Sequence, residues 1–179
     1  MFITEIVTGE IMGFKKTSDL IAISYGVTES AANTYTQEEI ALQLDVLNNE
    51  IFVVLAIDIN VTPPDAIAAT NTATGSSVTS TSQTALANLS NTNCLATSRD
   101  FIQAAGFADG GVAFSRAALE SYTGDLDYLG LIATNNFFVQ IVGTNNGTAK
   151  GVEGRVWGYR AKADASTYAA LVQSEVLSA

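Results

Sequence analysis

Histidine is missing altogether from the 179-residue chain, and this removes the commonest general base and the commonest metal ligand. No Ser-His-Asp or Cys-His site can be built within it. Cysteine occurs once, at Cys94, so no intrachain disulfide forms and the disulfide-stapled secreted scaffold is excluded. Cys94 reads as a small buried apolar residue rather than a reactive thiol. Basic residues are scarce: 8 Lys and Arg stand against 18 Asp and Glu, a net charge of −10. Phosphate backbones are repelled on average, and direct nucleic-acid binding is not expected. No apolar run approaches the roughly 18 to 20 residues of a membrane-spanning helix; the longest, Ile51 to Ile57, has the length of a buried strand.

The opening residues, Met1-Phe2-Ile3-Thr4-Glu5, lack the basic start, apolar core and cleavage site of a signal peptide, and Glu5 and Glu10 argue against one. The expectation is a chain made and folded in the cytoplasm. What the chain does have is apolar content: 47% of its residues are hydrophobic, enough for a core without disulfides or metals. One domain spanning 1–179 is expected. Charge is uneven along it, with ten acids and two bases before residue 99 and eight acids and six bases from there on. Opposite poles of neighbouring subunits would attract, although such a split also arises on an ordinary solvated surface.

Ile40, Leu42, Leu44 and Val46 alternate with Ala41, Gln43 and Asp45, the period-two signature of a strand with one buried face. Asn48-Asn49 offers a turn, and Ile51 to Ile57 reads as a strand buried on both faces that ends before Pro63-Pro64. Together these predict a β-hairpin. Further strands are predicted at Phe2 to Thr8, Leu20 to Val27, Leu126 to Ala133, Phe137 to Val142 and Gly154 to Ala161, with another near Gly111 to Phe114. Strands at this spacing without helices between them predict an all-β fold, an antiparallel sandwich or barrel.

Two stretches break the pattern. Residues 66–98 carry no charge and are dominated by Thr, Ser, Ala and Asn. They read as a long loop, either mobile or laid as an arm against a neighbouring subunit. The tail from Asp164 to Leu177 predicts a short C-terminal helix, capped by Asp164 or Ser166, with Tyr168, Leu171, Val172 and Glu175 on one face.

The remaining chemistry is sparse. Glu38 with Glu39, Asp125 with Asp127, and Asp58 with Asp65 are the paired carboxylates; Asp125 and Asp127 are the candidates for a divalent cation. Adjacent acids at turns are more often solvated, so no catalytic residue and no cofactor is nominated. Gly106 to Gly111 is glycine-rich but lacks the Lys-Ser/Thr of a phosphate-binding loop. The triplets at Asn60 and Asn88 match the glycosylation pattern but have no secretory context. Lys150, Arg155, Arg160 and Lys162 surround Trp157 and Tyr159, a mix able to stack and pair with a single strand. Strand alternation splits that set, with Arg155, Trp157 and Tyr159 on one face and Val156, Gly158, Arg160 and Lys162 on the other. The structural reading makes the aromatics core or interface and pairs Arg160 with a nearby acid.

The segments Gln37 to Asp58 and Gly154 to Ala161 resemble parts of the small single jelly-roll coat proteins of icosahedral viruses of archaea and bacteria. That resemblance implies a jelly-roll sandwich of about eight strands whose copies tile a shell. It also implies a major capsid subunit in a virion, assembled in the host cytoplasm alongside other capsid proteins and an internal lipid membrane. Coats of this kind that bind the genome directly carry a basic N-terminal arm, whereas only Lys15 and Lys16 stand near the start here. Two alternatives remain open at this stage: a filament, tail or surface-appendage subunit that donates a strand to the next copy, and a non-catalytic carbohydrate- or cation-binding sandwich.

Overall fold

A computed structural model describes residues 13–106, 113–117 and 126–177. Among these, ten strands precede one helix. They are β1 (Phe14–Lys16), β2 (Ile21–Thr28), β3 (Thr36–Ala41), β4 (Glu50–Val61), β5 (Thr72–Thr79), β6 (Cys94–Gln103), β7 (Ala113–Ala117), β8 (Gly130–Ile132), β9 (Asn136–Thr144) and β10 (Gly151–Ala163). Helix α1 covers Ala165–Leu177. The predicted strand at Phe2 to Thr8 lies outside the described residues.

Every pairing is antiparallel, and the pairs are nested. β2 pairs with β10, β3 with β9, β4 with β8, and β5 with β6. A chain folded back on itself in this way and then rolled puts alternate pairs in opposite sheets. The first sheet runs β1-β10-β4-β8 with β2 also on β10, and the second runs β3-β9-β5-β6-β7. This winding of nested hairpins into two facing sheets is the jelly roll. β1 and β2 follow one another along the same edge of β10, meeting residues 161–163 and 151–158.

The core between the sheets is built by inward alternation. Phe52, Val54, Ile57 and Ile59 of β4 face Val78, Ala96, Val139 and Ile141 of the second sheet. Tyr25 and Phe137 meet edge to face across it, with ring centroids 6.3 Å apart. The inward parity of β4 changes from even to odd numbers because a bulge opposite Trp157 and Gly158 leaves Leu55 unopposed. Ile51 and Val53 therefore point outward into a second apolar cluster with Ala161, Ala163, Tyr168, Leu171 and Val172. The continuous apolar run at 51–57 is thus buried on both faces, by the core on one side and by α1 on the other.

At Gly158 the chain has no room for a side chain, because a Cβ would collide with the Val53 carbonyl oxygen and press on the Phe52 ring.

Two sequence expectations are corrected. Leu42 and Leu44 are buried as read, but β3 ends at Ala41 and the expected hairpin with β4 does not exist. Gln43 adopts a left-handed φ of 53°, and the amides of Leu42 and Leu44 bond to the Asn135 carbonyl and side-chain oxygens. The chain there crosses between sheets: β3 pairs with β9 in one and β4 with β10 in the other.

The second correction concerns residues 66–98. They hold all of β5, an interior strand of the second sheet, and the start of β6. Thr72, Thr74, Ser76, Ser77 and Thr79 are buried; small hydroxylated side chains tolerate this when bonded, and all of these but Thr74 find a partner among the described residues. Ser76 Oγ donates to the Gln140 carbonyl at 2.8 Å and Thr72 Oγ1 to the Asp65 carbonyl at 2.7 Å.

Candidate interaction surfaces

The residues singled out for chemistry do not converge. Asp125 lies outside the described residues, and Asp127 is exposed. Its charge, after burial, helps raise the Tyr159 phenol pKa. Among the described residues no cluster of three or more His, Cys, Asp or Glu side chains could hold a metal ion. Glu38 and Glu39 are exposed neighbours on β3, so alternation sends them to opposite faces. Asp58 accepts a hydrogen bond from Trp157 Nε1 at 2.9 Å. Asp65 instead serves a loop junction: it accepts from Lys150 Nζ at 2.6 Å and from the Gly147 amide at 2.9 Å. The Lys150 ammonium holds the Asp65 carboxyl below its ordinary pKa, against the opposing pull of burial.

The basic set is dispersed too. Lys150 is buried against Asp65. Arg155 lies over the Trp157 ring, 5.3 Å from its centroid, on the outer face. Arg160 donates to the Leu42 carbonyl at 3.1 Å and makes no ion pair with an acid among the described residues, and Lys162 is exposed. Trp157 and Tyr159 share a face as alternation predicted, with Lys16 Nζ 5.0 Å above the Tyr159 ring. Cys94 is half-buried, and burial pushes its thiol pKa up.

Several polar anchors left no trace in the sequence because their partners are remote. Arg116 makes a two-pronged bond at 2.8 Å to Asp100, whose side chain is wholly buried. Buried Glu29 accepts from the amides of Gly143 and Lys150 at 2.6 and 2.8 Å. Buried Glu175 of α1 accepts from Ala133 and Thr134 at 2.9 and 3.1 Å; burial raises its pKa although these bonds pull it down. An open cleft of about 480 Å³ lies between 26–28, 60–63, 151–153 and Arg116. The Arg116 charge there is already neutralised by Asp100.

The outer faces of the two sheets are the surfaces with most character. One end of the first sheet is covered by α1, which Asp164 caps by accepting from the Thr167 amide at 2.7 Å. Over the second sheet lies 80–93, bonded through amides. Gln140, wholly buried on that face, accepts from Ser77 Oγ at 2.7 Å and donates to Thr79 Oγ1 at 2.7 Å and Gln37 Oε1 at 3.0 Å. Gln37 Oε1 also accepts the Gln83 amide at 2.7 Å, and Tyr35 donates to the Gln83 carbonyl at 2.7 Å. The uncharged segment is thus tied to its own sheet through one surface. Its other surface, which includes Thr84, Ala85 and Leu89, is exposed.

No protein-family model matches this chain, and no curated protein matches it. A chain in a solved structure of Desmodium yellow mottle tymovirus aligns over 83% of this chain and 91% of its own length, with 9% identity and a TM-score of 0.31. The assignment of the jelly roll rests on the strand pairing, not on that overlay.

Proposed function

We propose that this chain is a structural subunit, the major capsid protein of a virion, which assembles with copies of itself into a closed icosahedral shell. The observation carrying this reading is a jelly roll whose two outer faces are clad by segments with almost no charge, 80–93 on one and α1 on the other. Fold alone does not fix function, so the cladding matters: copies that each carry −10 repel one another except where charge is absent. Many weak contacts repeated around a closed lattice then suffice for stability.

The role is structural rather than catalytic, and genome packaging falls to other components. The acidic balance suits a coat facing an internal lipid membrane or another capsid protein better than one gripping nucleic acid.

Light scattering and electron microscopy of the purified full-length chain test the reading. Closed shells of uniform diameter are the expected result. Filaments would transfer the assignment to an appendage or tail subunit. A monomer of about 19 kDa at every salt and calcium concentration would overturn self-assembly and leave a binding module.

A further inference from the structure

Helix α1 covers the outer face of the first sheet only around Ala161 and Ala163. Toward the start of β10 that face carries the cleft of about 480 Å³. Val27, Val61 and Val152 point into the core, so alternation turns Gly26, Thr28, Asn60, Thr62, Gly151 and Glu153 outward to line it. Gly26 is the unusual residue there. A glycine inside a strand weakens it and marks a bulge, a bend or a close approach from outside. The pairing of β2 with β10 runs unbroken past Gly26, and among the described glycines only Gly106 has a positive φ. A Cβ at Gly26 would meet nothing nearer than the Val152 carbonyl oxygen, at 4.0 Å. The fold itself therefore leaves room for a side chain at Gly26, and its absence keeps the cleft clear for something outside the chain.

We propose that this surface binds a neutral oligosaccharide, seated over Gly26 and reaching along β10 to Trp157. The cleft wall supplies mixed donors and acceptors: the hydroxyls of Thr28 and Thr62, and Asn60, whose Nδ2 donates to Glu153 Oε1 at 3.0 Å. Sugar hydroxyls, each both donor and acceptor, match that mixture. Glu153, Arg155 and Trp157 follow one another on the same face over about 13 Å. Trp157 stands between Ala22 and Ala56, cross-strand neighbours too small to cover it. Its bond to Asp58 fixes the indole, and Arg155 lies over the ring. An indole edge and face so held pack against the C–H surface of a sugar ring. An extended peptide finds no ladder to join, because β10 is already paired on both sides. Sulfated and sialylated glycans are repelled by the net charge of −10. The inference stands apart from shell assembly, since every residue it uses belongs to one chain.

Trp157 is the only tryptophan of the chain, so its fluorescence reads the site directly. The full-length chain is titrated with neutral gluco-, manno- and galacto-oligosaccharides and with sialylated and sulfated ones, with calorimetry on the same pairs. A saturable response to at least one neutral series is expected. Gly26→Ile fills the cleft and should weaken that binding at least about tenfold. Its thermal midpoint should match or exceed that of the wild type, because a β-branched residue suits a strand and the Cβ has room. Asn60→Ala, an exposed substitution, should weaken binding without touching the backbone. Silence from every neutral oligosaccharide by both methods, a preference for the acidic ones, or undiminished binding by either variant overturns the inference.

Discussion

The two outer faces of the sandwich meet the same need with different chemistry. Over the first sheet, α1 lays Tyr168, Leu171 and Val172 on Ile51, Val53, Ala161 and Ala163. The contact is non-directional and scales with buried apolar area. Over the second sheet, 80–93 is held by hydrogen bonds that run from Ser77 through Gln140 and Gln37 to Gln83. That network is directional and costly to leave half-made. An apolar cover tolerates small shifts, whereas an amide network fixes one register. The difference explains why Ser77 and Thr79, rather than Val or Ile, face Gln140 on the outer side of β5.

The sharpest way to break the apolar side is Ile51→Ala. Ile51 is fully buried under α1, and the loss should be about 2–5 kcal/mol by chemical denaturation. Hydrogen exchange should quicken across α1 while 80–93 stays protected. On the polar side, Gln140→Leu takes away the acceptor of the Ser77 hydroxyl, which keeps the Ala87 amide as a donor, and removes the acceptor-donor relay to Gln37. About 1–3 kcal/mol should be lost, with faster exchange confined to 80–93 and its flanks. If both variants loosened both segments equally, the two covers would be one cooperative unit and the contrast would fail.

The smallest effects are pH effects at the two ends of α1. Burial raises the Glu175 pKa, so between the unfolded and folded values the native state holds the extra proton, and stability falls as pH rises through that window. Glu175→Gln should therefore gain on the wild type as pH rises through it. Asp164 behaves oppositely: hydrogen bonds from Ser166 and Thr167 lower its pKa. Its contribution is present above the unfolded value and lost as pH falls through the folded one, and Asp164→Ala should erase it. Thermal melts of both variants across an acid-to-neutral series read the two signs directly.

Legibility in the sequence followed the same division. The strands β2, β4, β9 and β10 were foreseen because apolar alternation or a continuous apolar run announces a surface meeting a core. α1 was foreseen from Asp164 and the spacing of Tyr168, Leu171 and Val172. β5 is not legible in the sequence, since Thr72–Thr79 carries little apolar signal and its outer face is satisfied by Gln140, about sixty residues away. The sequence suggests a hairpin from Ile40 to Ile57 because Leu42 and Leu44 keep the alternation of a strand, while the backbone at Gln43 turns away from it. The Glu175 anchor was visible only as a position on the helical stripe, because its partners at Ala133 and Thr134 are fixed by docking.

The sequence by itself determined an all-β chain, closed by a short helix, without histidine chemistry or an internal disulfide. Those properties follow from composition and from periodicities of two and 3.6 residues, which are local. Only the tertiary structure decided which strand pairs with which, which face of each sheet is covered, and which carboxylates are buried. Pairing and desolvation depend on residues brought together across the chain, and no local pattern encodes them.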